Sequence, residues 1–255
     1  MLLRLALVAI VAIAALALAT GAARSEGADA LRLVLFSGTE LGEGRAGTSG
    51  GFKLALRGDV DRPGPIVMGL ANAQADVAEI GVDAAVGSVG ATRVDVETPR
   101  GFASGALIGG WQWFTPGGSV LTLAAGPEAA TRQEPGPDGL LVWGDVEIGA
   151  RVLAEVWAHP RPGFLATGTL VASSATESLW ARGAVGWRLP GPWPLTGAYV
   201  GPEVTFYADA GYREPRIGLH VTELKLGGIT LRLGGGWSLG DGEGGYLALT
   251  THTKM

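Results

Sequence analysis

Charged side chains recur at every second position in several segments, and these are the residues that could carry chemistry. Glu147, Arg151 and Glu155 fall on one face of an extended segment, while apolar residues alternate with them on the other face. Side chains of a strand alternate between two faces, so this spacing groups the charges. Paired carboxylates could hydrolyse glycosides, but carboxylates and guanidinium groups in this pattern can equally form structural ion pairs.

Histidine and serine are the other residue types that could support catalysis, which requires a nucleophile, a base and an orienting group within reach. His220 lies in a clearly alternating segment, whereas His159 lies in a proline-rich turn and His252 lies near the end of the chain. His220 fits a polar network better than a general base, and three serines have no visible partner: Ser173, Ser174 and Ser178. We predict that the chain is not an enzyme.

No cofactor or metal site is predicted either, because histidines and carboxylates do not cluster at ligand spacing. The chain has no cysteine, which excludes disulfides and thiolate metal sites. The formal net charge of −5 and the lack of a basic run argue against a nucleic-acid partner.

The elements that must position these residues are strands with one apolar face. In residues 199–207 the apolar face consists of Val200, Pro202, Val204 and Phe206, and in residues 216–222 it consists of Ile217, Leu219 and Val221. A soluble β-sandwich hides such a face, whereas a barrel in lipid turns it outward and keeps the polar face inside. Alternation over about ten residues between turns predicts an all-β, antiparallel, up-and-down transmembrane β-barrel of about 12 strands.

The predicted strands are residues 31–37, 51–60, 65–75, 103–114, 119–131, 145–157, 164–174, 179–188, 199–207, 216–222, 229–238 and 245–253. Short turns with Pro or Gly alternate with longer connections at 38–50, 76–102 and 132–144, which is typical of outer-membrane barrels. Residues 76–102 could also contain strand extensions, which would change the strand count.

Alternation also predicts which polar residues line the lumen: Arg57, Asp59, Glu128, Glu147, Arg151, Glu155, Arg182, Arg188, Glu203, Arg216, His220 and Arg232. Charges of both signs in a partly dry interior should pair, because isolated buried charges are costly. Two interpretations remain open, a structural ion-pair network that closes the lumen and a narrow polar channel or binding track.

The repeated Gly-Pro-Glu at residues 126–128 and 201–203 places a proline inside a strand. Each glutamate is then either directed by a bulge or simply located beside a kink.

Four tryptophans are predicted to lie at the membrane interfaces: Trp111, Trp113, Trp187 and Trp237. The indole ring is apolar but its N–H needs a polar partner, which favours strand ends at that depth.

Residues 1–23 are predicted to be a cleaved signal peptide, with Arg4 preceding an apolar run and small residues fitting cleavage after residue 19 or 23. The alternative, a membrane anchor helix, needs about 20 apolar residues. Residues 24–255 then form one barrel domain, exported by a Sec-type route.

Several segments together resemble the BcsS family of bacterial cellulose-biosynthesis proteins. They are residues 51–61 (GFKLALRGDVD), 109–113 (GGWQW), 201–203 (GPE), 216–220 (RIGLH) and 244–247 (GGYL). The resemblance implies a multi-pass barrel in the outer membrane of a Gram-negative bacterium, linked to cellulose production or export. It brings no established catalytic or binding residues.

Three functions are compatible with this reading. The first is a polysaccharide-related channel or secretion accessory, with outer-membrane lipid, a cellulose or glucan chain and other cellulose-secretion proteins as partners. The second is a structural or docking barrel with a plugged lumen that binds periplasmic cellulose machinery. The third is an outer-membrane enzyme acting on lipid or glycan.

Overall fold

The chain folds into a closed ring of twelve antiparallel strands, seen in a computed structural model that describes residues 32–85, 91–135, 141–192 and 195–255. The predicted signal peptide lies outside the described residues. The strands are β1 Leu33–Gly42, β2 Arg45–Ala55, β3 Gly64–Ala85, β4 Ala91–Phe114, β5 Val120–Pro135, β6 Leu141–Trp143, β7 Glu147–Arg161, β8 Phe164–Ser173, β9 Ser178–Arg188, β10 Tyr199–Ala208, β11 Arg213–Leu226, β12 Ile229–Ser238 and β13 Gly244–Lys254.

Ring closure follows chain order, because each barrel strand pairs with the strands before and after it and β1 pairs with β13. Beside this seam, Leu33 and Met255 exchange backbone hydrogen bonds of 3.0 and 2.8 Å. The short strand β6 pairs only with residues 133–135 of β5, beyond the part of β5 that pairs with β7. The predicted all-β, antiparallel barrel of about 12 strands is confirmed. No helix in the described part of the chain is long and apolar enough to cross a membrane.

The two ends of the barrel differ in what they carry. We call the end with the first residue of β1 and the last residue of β13 the terminal end, and the opposite end the loop end. The predicted long connection at 38–50 is wrong, because β1 and β2 continue through it to a two-residue turn, Glu43-Gly44. The longest connection at the terminal end is residues 189–198, so turns there are not uniformly short.

Glycine explains the missed strand ends of β1 and β2. This hairpin is rich in glycine, which weakens a strand by itself because it brings no side chain to pack. Here the neighbours supply the missing surface, since the Phe36 ring covers Gly51 closely enough that a Cβ atom at Gly51 would collide with it. Strand extensions, the alternative for residues 76–102, are also present, with β3 reaching Ala85 and β4 beginning at Ala91.

The outer face is apolar and exposed, as alternation predicts. Ile148 is 74% exposed, Leu219 is 64% exposed and Leu247 is 57% exposed, and each lies on a different barrel strand. The inner wall is not uniformly polar. One side of it is a packed apolar cluster of Ile66, Met68, Ile108, Ala124 and Leu153, contributed by β3, β4, β5 and β7.

Candidate functional site

The lumen wall is the candidate site, and eight of the twelve predicted lumen residues lie on it: Glu128, Arg151, Glu155, Arg182, Glu203, Arg216, His220 and Arg232. Glu147 is on the same face but exposed at the first position of β7. Arg188 is exposed at the end of β9, where its guanidinium donates a 3.0 Å hydrogen bond to the Tyr199 hydroxyl.

Arg57 and Asp59 do not belong to the lumen wall. The strand that carries them was predicted to run to residue 60, but β2 ends at Ala55, and both residues lie in the turn before β3. Arg57 is exposed, and the Asp59 carboxylate accepts a 2.8 Å hydrogen bond from the Asp61 backbone within the turn.

Glu128 is the centre of one polar group on the inner wall. It is 2% exposed, and its carboxylate accepts hydrogen bonds from Arg151 on β7 and from the Ser173 hydroxyl on β8, the latter at 2.5 Å. Arg151 also reaches the Ser104 hydroxyl on β4 at 3.4 Å. The carboxylate is thus satisfied by one cation and one hydroxyl donor, which offsets the cost of burying it.

Glu203 is the centre of a second polar group, on β10. Its carboxylate forms an ion pair with Arg232 on β12 and accepts a 3.4 Å hydrogen bond from the Tyr246 hydroxyl on β13. His220, on β11, is 2% exposed, and its Nε2 lies 3.1 Å from the Val185 carbonyl oxygen. Because a carbonyl oxygen can only accept, Nε2 carries the proton and His220 is held by backbone.

A connected network of ion pairs crosses the lumen near the loop end. Arg45 on β2 donates to Glu214 on β11 at 2.7 Å, and Arg216 donates to Glu214 at 2.9 Å and to Glu40 on β1 at 2.5 Å. The pair of Arg216 with Glu214 lies within β11. The other two pairs, Arg45 with Glu214 and Arg216 with Glu40, join strands four and three places apart around the ring, so they run across the lumen rather than along its wall. We call Glu40, Arg45, Glu214 and Arg216 the loop-end clamp.

Two tyrosines support the clamp. The Arg45 guanidinium lies 4.8 Å from the Tyr212 ring centroid and 5.9 Å from that of Tyr207. Burial raises the pKa of Tyr212, which lies in the loop between β10 and β11, so its hydroxyl stays neutral and able to donate to Glu214.

Of the clamp, only Arg216 was predicted from the sequence. Glu40, Arg45 and Glu214 were missed because they lie in strand ends that the sequence reading assigned to loops.

The turn between β2 and β3 lies over the terminal end. Its Val60 is 4% exposed, and the Val60 carbonyl accepts a 2.6 Å hydrogen bond from buried Gln112 on β4. Asp61 in the same turn accepts hydrogen bonds of 2.6 and 2.7 Å from Lys254 on β13. Lys53 on β2 donates to Gln112 at 2.9 Å and lies 3.9 Å from Glu155 on β7, four places around the ring.

One cross-strand pattern occurs three times, at intervals of four barrel strands. A Gly-x-Glu sequence on β1, β5 and β10 places Glu40, Glu128 and Glu203 opposite a glycine on the next strand, namely Gly47, Gly149 and Gly218. Each of these glutamates is paired with an arginine. The two Gly-Pro-Glu sequences noticed in the chain are therefore two members of a set of three.

The prolines in these sequences interrupt the ladder. Pairing of β5 with β4 skips Gly126 and Pro127, and pairing of β10 with β9 skips Gly201 and Pro202. Proline has no amide hydrogen to donate, which accounts for each gap. Both prolines are exposed on the outer face while the following glutamate is buried, so each glutamate lies beside a local break and is also aimed inward.

Among the described residues, Ser49, Ser173 and His220 do not form an arrangement for nucleophilic catalysis. Residues 47–51 (GTSGG) fit the GxSxG pattern of hydrolases, but Ser49 lies within β2 rather than in a strand-to-helix turn. Ser173 contacts a carboxylate that Arg151 already neutralises, and His220 contacts backbone. The described residues also contain no group of three or more side chains suited to hold a metal ion.

The four predicted interface tryptophans are all exposed on barrel strands. Trp111 and Trp113 lie near the terminal end of β4, Trp187 lies near the terminal end of β9, and Trp237 lies near the loop end of β12. Their contact with a membrane interface stays a prediction.

A closed antiparallel ring with an apolar outer face and a polar inner wall is the fold of outer-membrane barrel proteins. Among solved structures, the β domain of the Bordetella autotransporter BrkA is similar with a TM-score of 0.50 and 16% identity, covering 89% of this chain and 100% of that chain. At this identity the likeness shows the fold alone.

Two further similar structures are the NalP translocator domain from Neisseria meningitidis and a KdgM porin. For NalP the TM-score is 0.46 at 10% identity, with 98% of each chain covered. For KdgM the TM-score is 0.46 at 5% identity, with 87% of this chain and 99% of that chain covered.

The chain matches the family described as cellulose biosynthesis protein BcsS over residues 34–254, so it belongs to this family. The resemblance carried by the sequence motifs is confirmed. Membership associates the chain with cellulose biosynthesis, and its fold is consistent with an outer-membrane location. A comparison of the sequence with curated proteins finds no match.

Proposed function

We propose that this protein is an outer-membrane accessory of cellulose production whose lumen is closed in its resting state by the loop-end clamp. The observation that carries the proposal is the pair of cross-lumen contacts, Arg45 with Glu214 and Arg216 with Glu40. An open pore for a glucan chain would keep its polar groups on the wall, whereas these side chains extend across the space. The barrel would then act through the proteins or polymer that it contacts.

Burial supports closure rather than a wide polar track. Glu214 and Arg216 are 3% and 6% exposed, and the inner wall on the other side is filled by packed apolar residues. Buried ion pairs repay their desolvation only with good geometry and further hydrogen bonds, which the shared Glu214 carboxylate provides. The partners of this accessory role are outer-membrane lipid on the apolar outer face and other cellulose-secretion proteins at the two ends.

A gated polysaccharide channel is the second candidate. This candidate is favoured because the loop-end clamp consists only of side chains. Its four side chains could separate without any movement of the barrel strands. We assign no catalytic activity to either form, because each of the three repeated glutamates is neutralised by an arginine. Signal-dependent Sec export remains part of the proposal.

Two measurements test the proposal together. In planar bilayers we expect the purified wild-type barrel to show no steady conductance, and a stable open pore would contradict the closed resting state. In a strain that lacks the gene, the position of cellulose separates the candidates. Polymer trapped in the periplasm would support an exit channel, whereas normal secretion would exclude an obligatory exit pore and leave the accessory role.

A further inference from the structure

Arg182 is a lumen cation that has no counterion among the described residues. It lies on β9, facing inward between its register partners Thr169 on β8 and Thr205 on β10. Its guanidinium lies 5.8 Å from the ring centroid of Trp180, and its Nε has no hydrogen-bond partner. No carboxylate of the described residues lies within ion-pair distance of it.

The neighbouring carboxylates are already in use. Glu203 is paired with Arg232, Glu128 is paired with Arg151, and Glu155 lies 3.9 Å from Lys53. Arg182 has a longer-range electrostatic interaction with Glu155 but forms no ion pair with it. Each of these three carboxylates therefore has a cation of its own, and the positive charge of Arg182 remains without a carboxylate partner.

The surroundings of Arg182 are polar and not fully packed. The side chain lies deep inside the barrel and still retains accessible surface, so it borders an internal space rather than the bulk solvent. Thr169 and Thr205 beside it are also only partly buried, and the Thr205 hydroxyl has no hydrogen-bond partner. Two unpartnered donors, the Arg182 Nε and the Thr205 hydroxyl, thus lie at register-paired positions of neighbouring strands, each enclosed by protein.

We propose that Arg182, with the hydroxyl of Thr205, binds a small inorganic anion inside the lumen. An uncompensated guanidinium in a partly dry interior is costly, and an anion removes that cost by supplying both the missing charge and an acceptor. Arginine binds such anions well because its planar fork directs several N–H groups toward one site. The site is independent of the closure at the loop end and of any conductance.

Bromide is the probe, because its anomalous X-ray scattering locates it directly. Crystals of the full barrel soaked in sodium bromide should show an anomalous peak at the Arg182 guanidinium beside Thr205. The peak should be lost in Arg182→Met and kept in Arg188→Met, a matched variant on the same strand whose arginine already contacts Tyr199. Wild-type crystals without bromide at Arg182 would overturn the proposal.

A solution measurement covers the case in which Arg182→Met does not fold. At constant ionic strength, the unfolding temperature of the wild-type barrel in detergent should be higher in sodium bromide or chloride than in sodium gluconate, whose anion is too bulky for an enclosed site. Arg188→Met should show the same dependence. An unfolding temperature that does not depend on the anion would contradict a bound anion, since a ligand of the folded state must stabilise it.

Discussion

Glu203 joins three strands through one carboxylate, since it lies on β10 and contacts Arg232 on β12 and Tyr246 on β13. Glu203→Gln removes the charge and keeps the shape. We expect this change to destabilise the barrel by about 3–5 kcal/mol, because it leaves Arg232 as an uncompensated buried cation. The unfolding temperature in detergent measures the effect.

Two matched variants make that measurement specific. Glu243→Gln changes an exposed glutamate in the loop before β13 and should leave the unfolding temperature unchanged. Glu203→Gln combined with Arg232→Met removes both charges and should recover part of the loss. Equal unfolding temperatures for wild type and Glu203→Gln would exclude Glu203 from any structural network.

Gly234 keeps space for the same ion pair. A Cβ atom at Gly234 would lie 2.8 Å from the Glu203 Oε1 atom and 3.4 Å from the Arg232 guanidinium. Gly234→Ala should therefore displace a buried charged pair and cost about 1–3 kcal/mol of stability. Gly109→Ala is the control, since the nearest atom to its added Cβ would be 4.0 Å away. A similar unfolding temperature for both variants would show that the pair adjusts freely.

Between β9 and β10 the ladder of backbone hydrogen bonds has a gap, and a side chain from a third strand satisfies a carbonyl there. Pro202 cannot donate to β9, and the Val185 carbonyl on β9 accepts from His220 on β11 instead. His220→Leu should leave this carbonyl unpaired and cost about 1–3 kcal/mol, measured as a lower unfolding temperature.

A second substitution tests whether the lost hydrogen bond is the cause. Pro202→Val supplies an amide hydrogen at the position where the ladder is interrupted, so His220→Leu/Pro202→Val should be more stable than His220→Leu. If the added valine gives no recovery, the effect of His220 lies in its packing beside Gly186 rather than in its hydrogen bond.

Strand alternation predicted most of the elements because it is a local property. In β7, the pattern of Ile148, Val152 and Val156 outward with Arg151 and Glu155 inward follows directly from the period of two. Alternation failed where glycine replaced the side chains that display it, as in the β1–β2 hairpin. It also could not anticipate that one side of the inner wall, around Met68 and Ile108, is apolar, because inward positions there look like ordinary strand residues.

The partners across the lumen could not be predicted from the sequence. Glu40 and Arg216 are 176 positions apart, and their contact depends on which strands face each other after the ring closes. Neighbours on adjacent strands, such as Glu128 and Gly149, are easier to predict than partners across the lumen. Once the hairpins are known, strand register determines which residues lie opposite each other.

At the scale of the whole molecule, the loop-end clamp determines whether the lumen is closed. Arg45→Met together with Arg216→Met removes both guanidinium groups that cross the space. We expect this double variant to show conductance in planar bilayers, or brief openings, where the wild type shows none. Arg213→Met changes an exposed arginine at the same end and should behave as wild type. A silent double variant in a folded barrel would show that other residues close the lumen.

The seam between the first and last strands has a consequence for the order of the chain. Leu33 and Met255 are joined by backbone hydrogen bonds, and the Gly-x-Glu pattern returns every four strands, so β1 has no special place in the ring. A circular permutant that links residue 255 to residue 32 and opens at the turn Gly227-Gly228 would keep both new termini at the same end.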